Sequence, residues 1–215
     1  MKAIDLTHTI WADMPVYPGT AKPALEIAHT YEAHGFKETR LNLLSHTGTH
    51  MDAPAHLFAG KTTLDAFPVA QFIGTGLVID CSALKAGGTI TMEHIVPVKN
   101  QADGAEFLLF YTGWDKYWGT DLYFGKYPHI NGEVAEYLLH SGKKGVGLDV
   151  ISIDPVSDAN LTIHKRLLGA ADIVIVENLT RLGEIGTELF TLCVLPLKYE
   201  NADGAPIRAA AILQD

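Results

Sequence analysis

Three histidines and an aspartate lie close together in this sequence, at His46, His50, Asp52 and His56. All four positions are even, so a strand running through them would place the four side chains on one face. Neutral imidazoles and carboxylates are the ligands that zinc and similar divalent ions prefer in proteins. Burying the same groups without a partner would be costly. The stretch therefore predicts a metal-binding site in preference to a solvated polar strand face.

The backbone of this stretch is expected to be extended. A helix would also pair His46 with His50, at positions i and i+4, as in zinc proteases. Residues 47–49 are poor helix formers, however, and Pro54 would end a helix that continued past them. We therefore predict a strand that leads into a loop at Pro54.

Two further candidates for metal ligands lie in the second half of the chain. Glu177 follows the apolar run at residues 173–176, where a buried strand should end. His164 lies on a predicted short helix that leads to that strand. The alternatives are a solvated carboxylate at a strand end and a histidine on an exposed helix surface, and the pattern alone leaves them open.

The pattern His-x-Gly-Thr-His-x-Asp-x-Pro-x-His at residues 46–56 resembles the signature of the metal-dependent cyclase-like hydrolases. That family includes bacterial kynurenine formamidases and isatin hydrolases. It also carries a later histidine and then a glutamate at similar spacing, which His164 and the run Val176-Glu177-Asn178-Leu179 match. The resemblance therefore extends over most of the chain.

The resemblance implies two divalent metal ions and assigns a ligand role to five residues. His46, His50 and Asp52 would hold the first ion, and His164 would complete the site of the second. Asp52 and Glu177 would reach both ions. Zinc is the favoured metal and manganese the alternative, because histidine and carboxylate ligands without cysteine suit either ion.

The same resemblance implies a metal-dependent amidohydrolase similar to the arylformamidases. A metal-activated hydroxide would cleave a small amide, formamide or cyclic amide. His56 would be the catalytic proton shuttle instead of a ligand. Tyr17, directly before Pro18, is a candidate substrate-binding residue at a place where kynurenine formamidases typically carry tryptophan. Simple packing of the loop is the alternative for Tyr17.

Two other kinds of function remain open. A metal-dependent dehydratase or isomerase could use the same ligands. A metal- and ligand-binding protein without turnover would keep the cluster and need no proton shuttle. The sequence has no glycine-rich phosphate loop and no dinucleotide-binding fingerprint, which argues against nucleotide-dependent enzymes.

Composition limits the partners of the chain. The 215 residues are 47% hydrophobic and 19% charged, which predicts a single globular domain over residues 1–215. The net charge of −9 and the lack of basic runs argue against nucleic acid or an anionic membrane as a partner and favour a small-molecule substrate. The sequence contains neither an apolar signal core nor a run of about 18 apolar residues, so we expect a soluble cytoplasmic protein.

Hydrophobic patterning predicts an α/β domain in which strands predominate. Strands are predicted at residues 4–10, 25–31, 38–45, 75–80, 106–111, 145–151, 173–177, 189–198 and 207–213, the last two joined around the turn signal Asp203-Gly204. Short helices are predicted at residues 65–72, 91–98, 131–140 and 161–168. This pattern indicates a mixed sheet, arranged as two sheets or as a distorted barrel. The family resemblance implies the swivelling β/β/α fold, which agrees with it.

The segment from Trp114 to Tyr127 is rich in aromatic residues and glycines and fits no regular strand or helix. We predict a homodimer or larger homo-oligomer in which this segment builds the contact or covers the pocket, since aromatic side chains are enriched at interface centres. The alternative is an apolar cluster packed beneath a loop.

Two aspartates are weaker candidates for the site. Asp149 interrupts an apolar strand and could accept a hydrogen bond that orients a ligand histidine. For Asp154, which precedes Pro155, a turn or surface position is an equal alternative.

Overall fold

A mixed sheet of eight strands forms the centre of the computed structural model, which describes residues 1–213 of the chain. In chain order the strands are β1 (Lys2–Asp5), β2 (Ala24–His29), β3 (Glu38–Asn42), β4 (His50–Asp52), β5 (Ile73–Asp80), β6 (Thr89–Ile90), β7 (Phe107–Tyr111), β8 (His129–Ile130), β9 (Gly145–Leu148), β10 (Val174–Glu177), β11 (Phe190–Pro196) and β12 (Gly204–Leu213). The central sheet has the order β1-β12-β11-β5-β7-β9-β10-β4. Two ribbons, β2 with β3 and β6 with β8, form separate two-stranded sheets.

Short helices lie between the strands. They are α1 (Tyr31–His34), α2 (Met92–Ile95), α3 (Lys99–Gly104), α4 (Gly132–His140) and α5 (Thr162–Ala170). Asn131 caps α4 by accepting a hydrogen bond from the backbone N–H of Val134, as its sequence position predicts. Across residues 1–213, none of these helices has the length and hydrophobicity that crossing a membrane requires.

The central sheet closes on itself through β4. This strand pairs antiparallel with both β10 and β12, so the sheet forms a barrel-like ring. Strands β5, β7, β9 and β10 run parallel to one another. Parallel strands that are covered on both faces read as continuous apolar runs, and residues 107–110 of β7 are accordingly all buried.

Two apolar clusters hold the sheet, one inside the ring and one beneath the helices. Alternate residues of β7 and β10 contribute to different clusters: Leu109 and Val176 belong to the inner one, and Leu108 and Ile175 to the one that packs against α4 and α5. Met51 of β4 belongs to the inner cluster. The residues on either side of Met51 therefore point to the opposite face, toward the helices.

The predicted fold class is confirmed, since the chain is a mixed α/β structure with a barrel-like sheet and short helices. Some predicted helices are shorter than expected. The helix predicted at residues 65–72 is a single 3₁₀ turn, Val69–Phe72. In the predicted helix at residues 91–98, the α-helical part α2 ends at Ile95 and a 3₁₀ turn, Val96–Val98, follows. Pro97 cannot donate the backbone hydrogen bond that a longer α-helix would need.

The N-terminal strand is also shorter than predicted. β1 ends at Asp5 instead of residue 10. Leu6 still donates to the carbonyl oxygen of Ala209, but its own carbonyl oxygen accepts from Thr180, so the chain leaves β12 for the segment after β10. The strands predicted at residues 25–31 and 38–45 are present as β2 and β3 but pair only with each other. Their ribbon contains no buried residue.

The aromatic segment at residues 114–127 packs inward. Tyr123 and Tyr127 are fully buried, Trp114 is nearly so, and Trp118 packs against the cluster beneath the helices. No residue of this segment lines the cavity described below. The prediction that the segment covers the pocket is wrong, and its rings form the packed cluster given as the alternative. A part for this segment in a subunit contact stays a prediction.

Candidate metal centre

The histidine stretch is only partly a strand. β4 begins at His50, and residues 45–49 form a turn in which Gly48 has a φ of 69°. This left-handed conformation is one that glycine adopts without strain. The predicted continuous strand is therefore wrong, because the chain turns at Gly48 before it enters the sheet. The turn, and not strand alternation, brings His46 Nδ1 to within 2.6 Å of Asp52 Oδ1.

Strand β4 lies between β10 and β12 and collects candidate residues from distant parts of the chain. His50 is paired with Glu177 of β10, so their side chains lie side by side on one face of the sheet. On the other side of β4, Gly204 is paired with Asp52. His50, Asp52 and Glu177 are each at most 4% exposed. The register of three strands thus builds the site.

The two buried histidines, His50 and His164, are held in the same way. His50 Nδ1 lies 2.8 Å from the carbonyl oxygen of Gly48, and His164 Nδ1 lies 2.7 Å from Asp154 Oδ2. Their Nε2 atoms lie 3.3 Å from Asp52 Oδ1 and 3.4 Å from Asp52 Oδ2, respectively. In metal-binding histidines one ring nitrogen is commonly fixed like this, which orients the other toward the ion.

The carboxylates of Asp52 and Glu177 span the space between these imidazoles. Asp52 turns one oxygen toward each histidine, as the distances above show. Glu177 Oε2 lies 3.6 Å from His50 Nε2, and Glu177 Oε1 lies 3.2 Å from His164 Nε2. The backbone N–H of Ile153 donates to Glu177 Oε1 and fixes its position. Carboxylates whose two oxygens face two donor sets have the arrangement that bridges a pair of cations.

These side chains form two candidate metal-binding groups that share Asp52. One consists of His46, His50 and Asp52, and the other of Asp52, His164 and Glu177, each with ligand atoms within 4.8 Å of one another. Imidazole nitrogen and carboxylate oxygen suit a divalent ion such as zinc or manganese. The donor set fits such an ion well, since a cation would also neutralise carboxylates that are buried here.

The buried carboxylates and the imidazoles beside them shift one another's pKa values. Burial favours the neutral acid, but the imidazoles of His46 and His50 lower the pKa of Asp52 well below its usual value. Burial also disfavours a charged His164, yet Glu177 and Asp154 raise the pKa of His164 well above its usual value. Ligand histidines must be neutral, so metal binding would release the proton from any that is protonated.

His46 is held between two carboxylates, one of which the sequence did not indicate. Its Nε2 lies 3.0 Å from Asp203 Oδ2, while its Nδ1 faces Asp52. Burial opposes protonation, but Asp52 and Asp203 together raise the pKa of His46 to about 10. In the sequence, Asp203 reads only as part of a turn, and no local signal connects it with residue 46.

His56 lies beside the ligand candidates, in the 3₁₀ turn Pro54–His56 that follows β4. Its ring centroid is 3.9 Å from that of His46, and its Nδ1 is 3.8 Å from Asp203 Oδ2. It belongs to neither of the groups that contain Asp52, although it forms a third, more exposed group with His46 and Asp203. Burial lowers the pKa of His56, which favours the neutral imidazole that can accept a proton.

A cavity of about 470 Å³ opens beside these side chains. The five ligand candidates and His56 all line it. Tyr17 lines it as well, and it also packs against the apolar cluster beneath the helices. The position of Tyr17 therefore agrees with both interpretations, since the residue lines the cavity and also packs against the core.

Residues 4–155 match the family model described as Putative cyclase. The chain belongs to the cyclase family. This finding confirms the resemblance that the histidine stretch indicates. Kynurenine formamidase from Bacillus cereus is 31% identical to this cyclase-family chain over 208 residues, covering 96% of the chain and 95% of the relative. Kynurenine formamidase from Bacillus anthracis is 31% identical over 210 residues, with 97% and 96% covered.

Solved structures of the cyclase family are similar over the whole chain. Isatin hydrolase A from Labrenzia aggregata, bound to benzyl benzoate, has a TM-score of 0.90 and 26% identity, covering 100% of this chain and 94% of that one. A potential metal-dependent hydrolase with cyclase activity has a TM-score of 0.80 and 27% identity, with 98% and 96% covered. The chain therefore shares its fold with isatin hydrolase A and with a potential metal-dependent hydrolase. The second likeness agrees with the metal dependence that the sequence predicts.

The two weaker aspartate candidates have different positions in this cyclase-family chain. Asp154 is 1% exposed and, besides His164 Nδ1, binds the backbone N–H groups of Ile163 and His164 at the start of α5. Asp149, also buried, accepts hydrogen bonds from the backbone N–H and hydroxyl of Thr112 and contacts no ligand histidine. The histidine-orienting position considered for Asp149 is thus occupied by Asp154, and Asp149 instead holds the loop after β7.

Asn178 and Tyr123 are two further buried residues that the sequence did not indicate for the site. Asn178 has a φ of 58°, and its Nδ2 donates to the carbonyl oxygen of Gly48 at 2.8 Å. The same carbonyl accepts from His50 Nδ1. The hydroxyl of Tyr123 donates to Asn178 Oδ1 at 2.6 Å and thereby orients the amide. This chain of hydrogen bonds ties the Gly48 turn to the strand end at Glu177.

Gly204 leaves the space in which the His46 ring lies. A Cβ at residue 204 would be 2.7 Å from His46 Nε2, so Gly204→Ala must displace the ring. We expect affinity for the metal that His46 helps to hold to fall roughly 10–100-fold, as for other changes that misplace a ligand. Metal titration monitored by calorimetry, with thermal unfolding of the metal-free protein alongside, measures the effect.

Gly104→Ala is the matched control for this substitution. Residue 104 ends α3, and a Cβ there would meet nothing within 4 Å. This variant should bind metal like the wild type. Equal affinity in the two variants would show that His46 does not need the space at Gly204.

Proposed function

We propose that the chain is a metal-dependent amidohydrolase that cleaves the carbon–nitrogen bond of a small amide, formamide or cyclic amide, in the manner of an arylformamidase. The observation that carries the proposal is the convergence of three imidazoles and two carboxylates at one cavity. Its relatives named kynurenine formamidase and its structural neighbour named isatin hydrolase support the same reaction class. The proposal treats residues 1–215 as one working domain, since β1 and β12, at opposite ends of the chain, pair with each other.

We keep the ligand roles proposed from the sequence. His46, His50 and Asp52 would hold one ion, His164 would complete the site of the other, and Asp52 and Glu177 would reach both. The donor groups share only Asp52, and the second contact of Glu177 is supported by its Oε2 lying 3.6 Å from His50 Nε2. The division of the Asp52 oxygens between His46 and His164 supports its role as the bridge. Zinc is the metal we propose, with manganese as the alternative.

The chemistry divides between the metal and the residues around it. Divalent ions at such a site lower the pKa of water toward neutrality and polarise a carbonyl oxygen. His56 lines the cavity next to the ligand candidates and is not required by either group that shares Asp52, so it is free to move a proton. We propose that it takes a proton from the nucleophile and returns it to the leaving nitrogen. Asp203 would keep the His56 ring beside His46.

We further propose that the working unit is at least a homodimer. The support comes from the ribbon of β2 and β3, where Leu25, Ile27 and Leu41 are 40%, 67% and 60% exposed. Leu25 and Leu41 are cross-strand partners, so they form one apolar face. A two-stranded ribbon with such a face is at best marginally stable in isolation. A cytoplasmic location stays a prediction from the sequence.

The proposed function predicts metal-dependent hydrolysis. Protein purified with zinc or manganese should release formate from formanilide. A chelator should abolish this release, and adding the ion back should restore it. Elemental analysis gives the number of ions per chain, and sedimentation of the same sample should give a mass above 23.3 kDa. Metal-loaded protein that turned over no amide, formamide or lactam would instead favour the binding protein without turnover.

A further inference from the structure

The cavity has two chemically different parts. The metal-ligand candidates and His56 line one part. Eight of the other fifteen lining residues are apolar, the larger of them being Pro15, Val16, Tyr17, Leu44, Ile151 and Leu161. Ile151 is 3% exposed and Leu44 is 49% exposed, so this apolar wall runs from the interior to the mouth of the cavity.

Cationic side chains are missing from the lining. Among residues 1–213, no lysine or arginine lines the cavity. Outside the ligand candidates, its one ionisable acid is Asp158, whose carboxylate accepts hydrogen bonds from the backbone N–H groups of Asn160 and Thr162. The amide of Asn178 faces the cavity but is already bonded on both of its polar atoms. Away from the proposed metal ions, the lining therefore offers an anion hydroxyl groups, such as those of Thr20, Ser45 and Ser152, but no lysine or arginine.

This lining favours some substrates over others on physical grounds. An aromatic or alkyl group gains free energy when the apolar wall removes it from water. A carboxylate on the same part of the substrate would lose its water without gaining a cation, and Asp158 would repel it. The proposed ions cannot serve as its partner during reaction, because the scissile carbonyl must occupy them.

We propose that the cavity selects amides whose part remote from the scissile bond is aromatic or alkyl and carries no anionic group. This inference rests on the proposed amidohydrolase function. It narrows the substrate class to neutral aryl amides and fused-ring cyclic amides. It also distinguishes this chain from a formamidase whose substrate is an amino acid, because the carboxylate of such a substrate would lie against the same wall.

The test compares two formamides that differ in one charge. Methyl 4-formamidobenzoate and 4-formamidobenzoate present the same scissile bond, and the ester is the larger molecule, so size cannot favour it. Formate release from the metal-loaded wild type should show kcat/KM higher for the ester by roughly 10²-fold, the effect of an unpaired buried charge. Calorimetric binding of the matching acetamides, which react more slowly, gives the same comparison without turnover.

A cation introduced at the cavity mouth should remove the discrimination. Leu44→Arg places a charge on an exposed lining residue and should raise kcat/KM for the acid about tenfold relative to the ester. Leu189→Arg adds the same charge at a similarly exposed leucine outside the lining and should leave the ratio unchanged.

The outcomes separate the inference from the proposed function. An acid that is hydrolysed or bound as well as its ester in the wild type would overturn the inference while leaving the function intact. Tighter binding of the neutral acetamide, together with no turnover of any amide, formamide or lactam, would support the cavity selectivity and refute the amidohydrolase function.

Discussion

Asp52→Ala should lose metal from both proposed sites and lower amide turnover by roughly 10³-fold. The effect is large because Asp52 Oδ1 lies 2.6 Å from His46 Nδ1 and Asp52 Oδ2 lies 3.4 Å from His164 Nε2, so one substitution removes a ligand from each group. Metal ions contribute several kcal/mol to such reactions, and about 1.4 kcal/mol corresponds to a factor of ten in rate. Elemental analysis of purified protein and formate release from formanilide measure the two effects.

The control for this variant is Asp65→Ala. Asp65 accepts a hydrogen bond from the backbone N–H of Ala202 and belongs to none of the candidate metal-binding groups. It should retain normal metal content and turnover. A full complement of metal in Asp52→Ala protein would contradict the bridging role and, with it, the two-ion arrangement.

His56→Ala should keep its metal and lose about 10²–10⁴-fold in turnover, the usual contribution of a general acid–base group. The reason is positional, since His56 lines the cavity beside His46 but lies outside both groups that contain Asp52. Metal content and single-turnover rates on the same preparation separate binding from chemistry. The loss should fall on kcat more than on KM, because the residue is proposed to act in the transition state.

His56 has one competing assignment that this experiment also decides. It forms a group with His46 and Asp203 whose ligand atoms would also fit an ion. If an ion occupied that group, His56→Ala would lose metal in step with activity. Asp203→Asn would then lose metal too, whereas under the proton-transfer assignment it should retain metal and show a smaller loss of turnover than His56→Ala.

The sequence by itself determined the class of chemistry and the parts of the chain that carry it. Three histidines and an aspartate between residues 46 and 56 indicate a metal site because few other uses justify that composition, and their spacing indicates the family. Glu177 is a candidate because an acid at the end of a buried strand is costly unless it has a partner. The ligand roles of Glu177 and His164 follow from the resemblance to the family, which carries a histidine and a glutamate at similar spacing. All of these signals are residue types and spacings that can be read along the chain without knowing its fold.

The sequence also determined most of the strands, because apolar runs report burial directly. It did not determine where those strands end or how they pair. β1 ends at Asp5 because the chain then bonds to residues 179 and 180, a change of partner that hydrophobic patterning does not register. The aromatic segment at residues 114–127 has the composition of an interface, yet its rings lie in the chain's own core. Composition indicates that such side chains are buried, but it does not indicate whether they are buried in the chain's own core or against another subunit.

Only the tertiary structure decided how the site is assembled. The even spacing of His46 and His50 suggested a common strand face, whereas the turn at Gly48 brings His46 back to Asp52. Placement of β4 between β10 and β12 sets Glu177 beside His50 and brings Asp203 and Gly204 to His46. Asp154, and not Asp149, orients His164. Each of these contacts depends on the register in which the ring of strands closes. That register is fixed by packing among residues far apart in the chain, so no local pattern contains it.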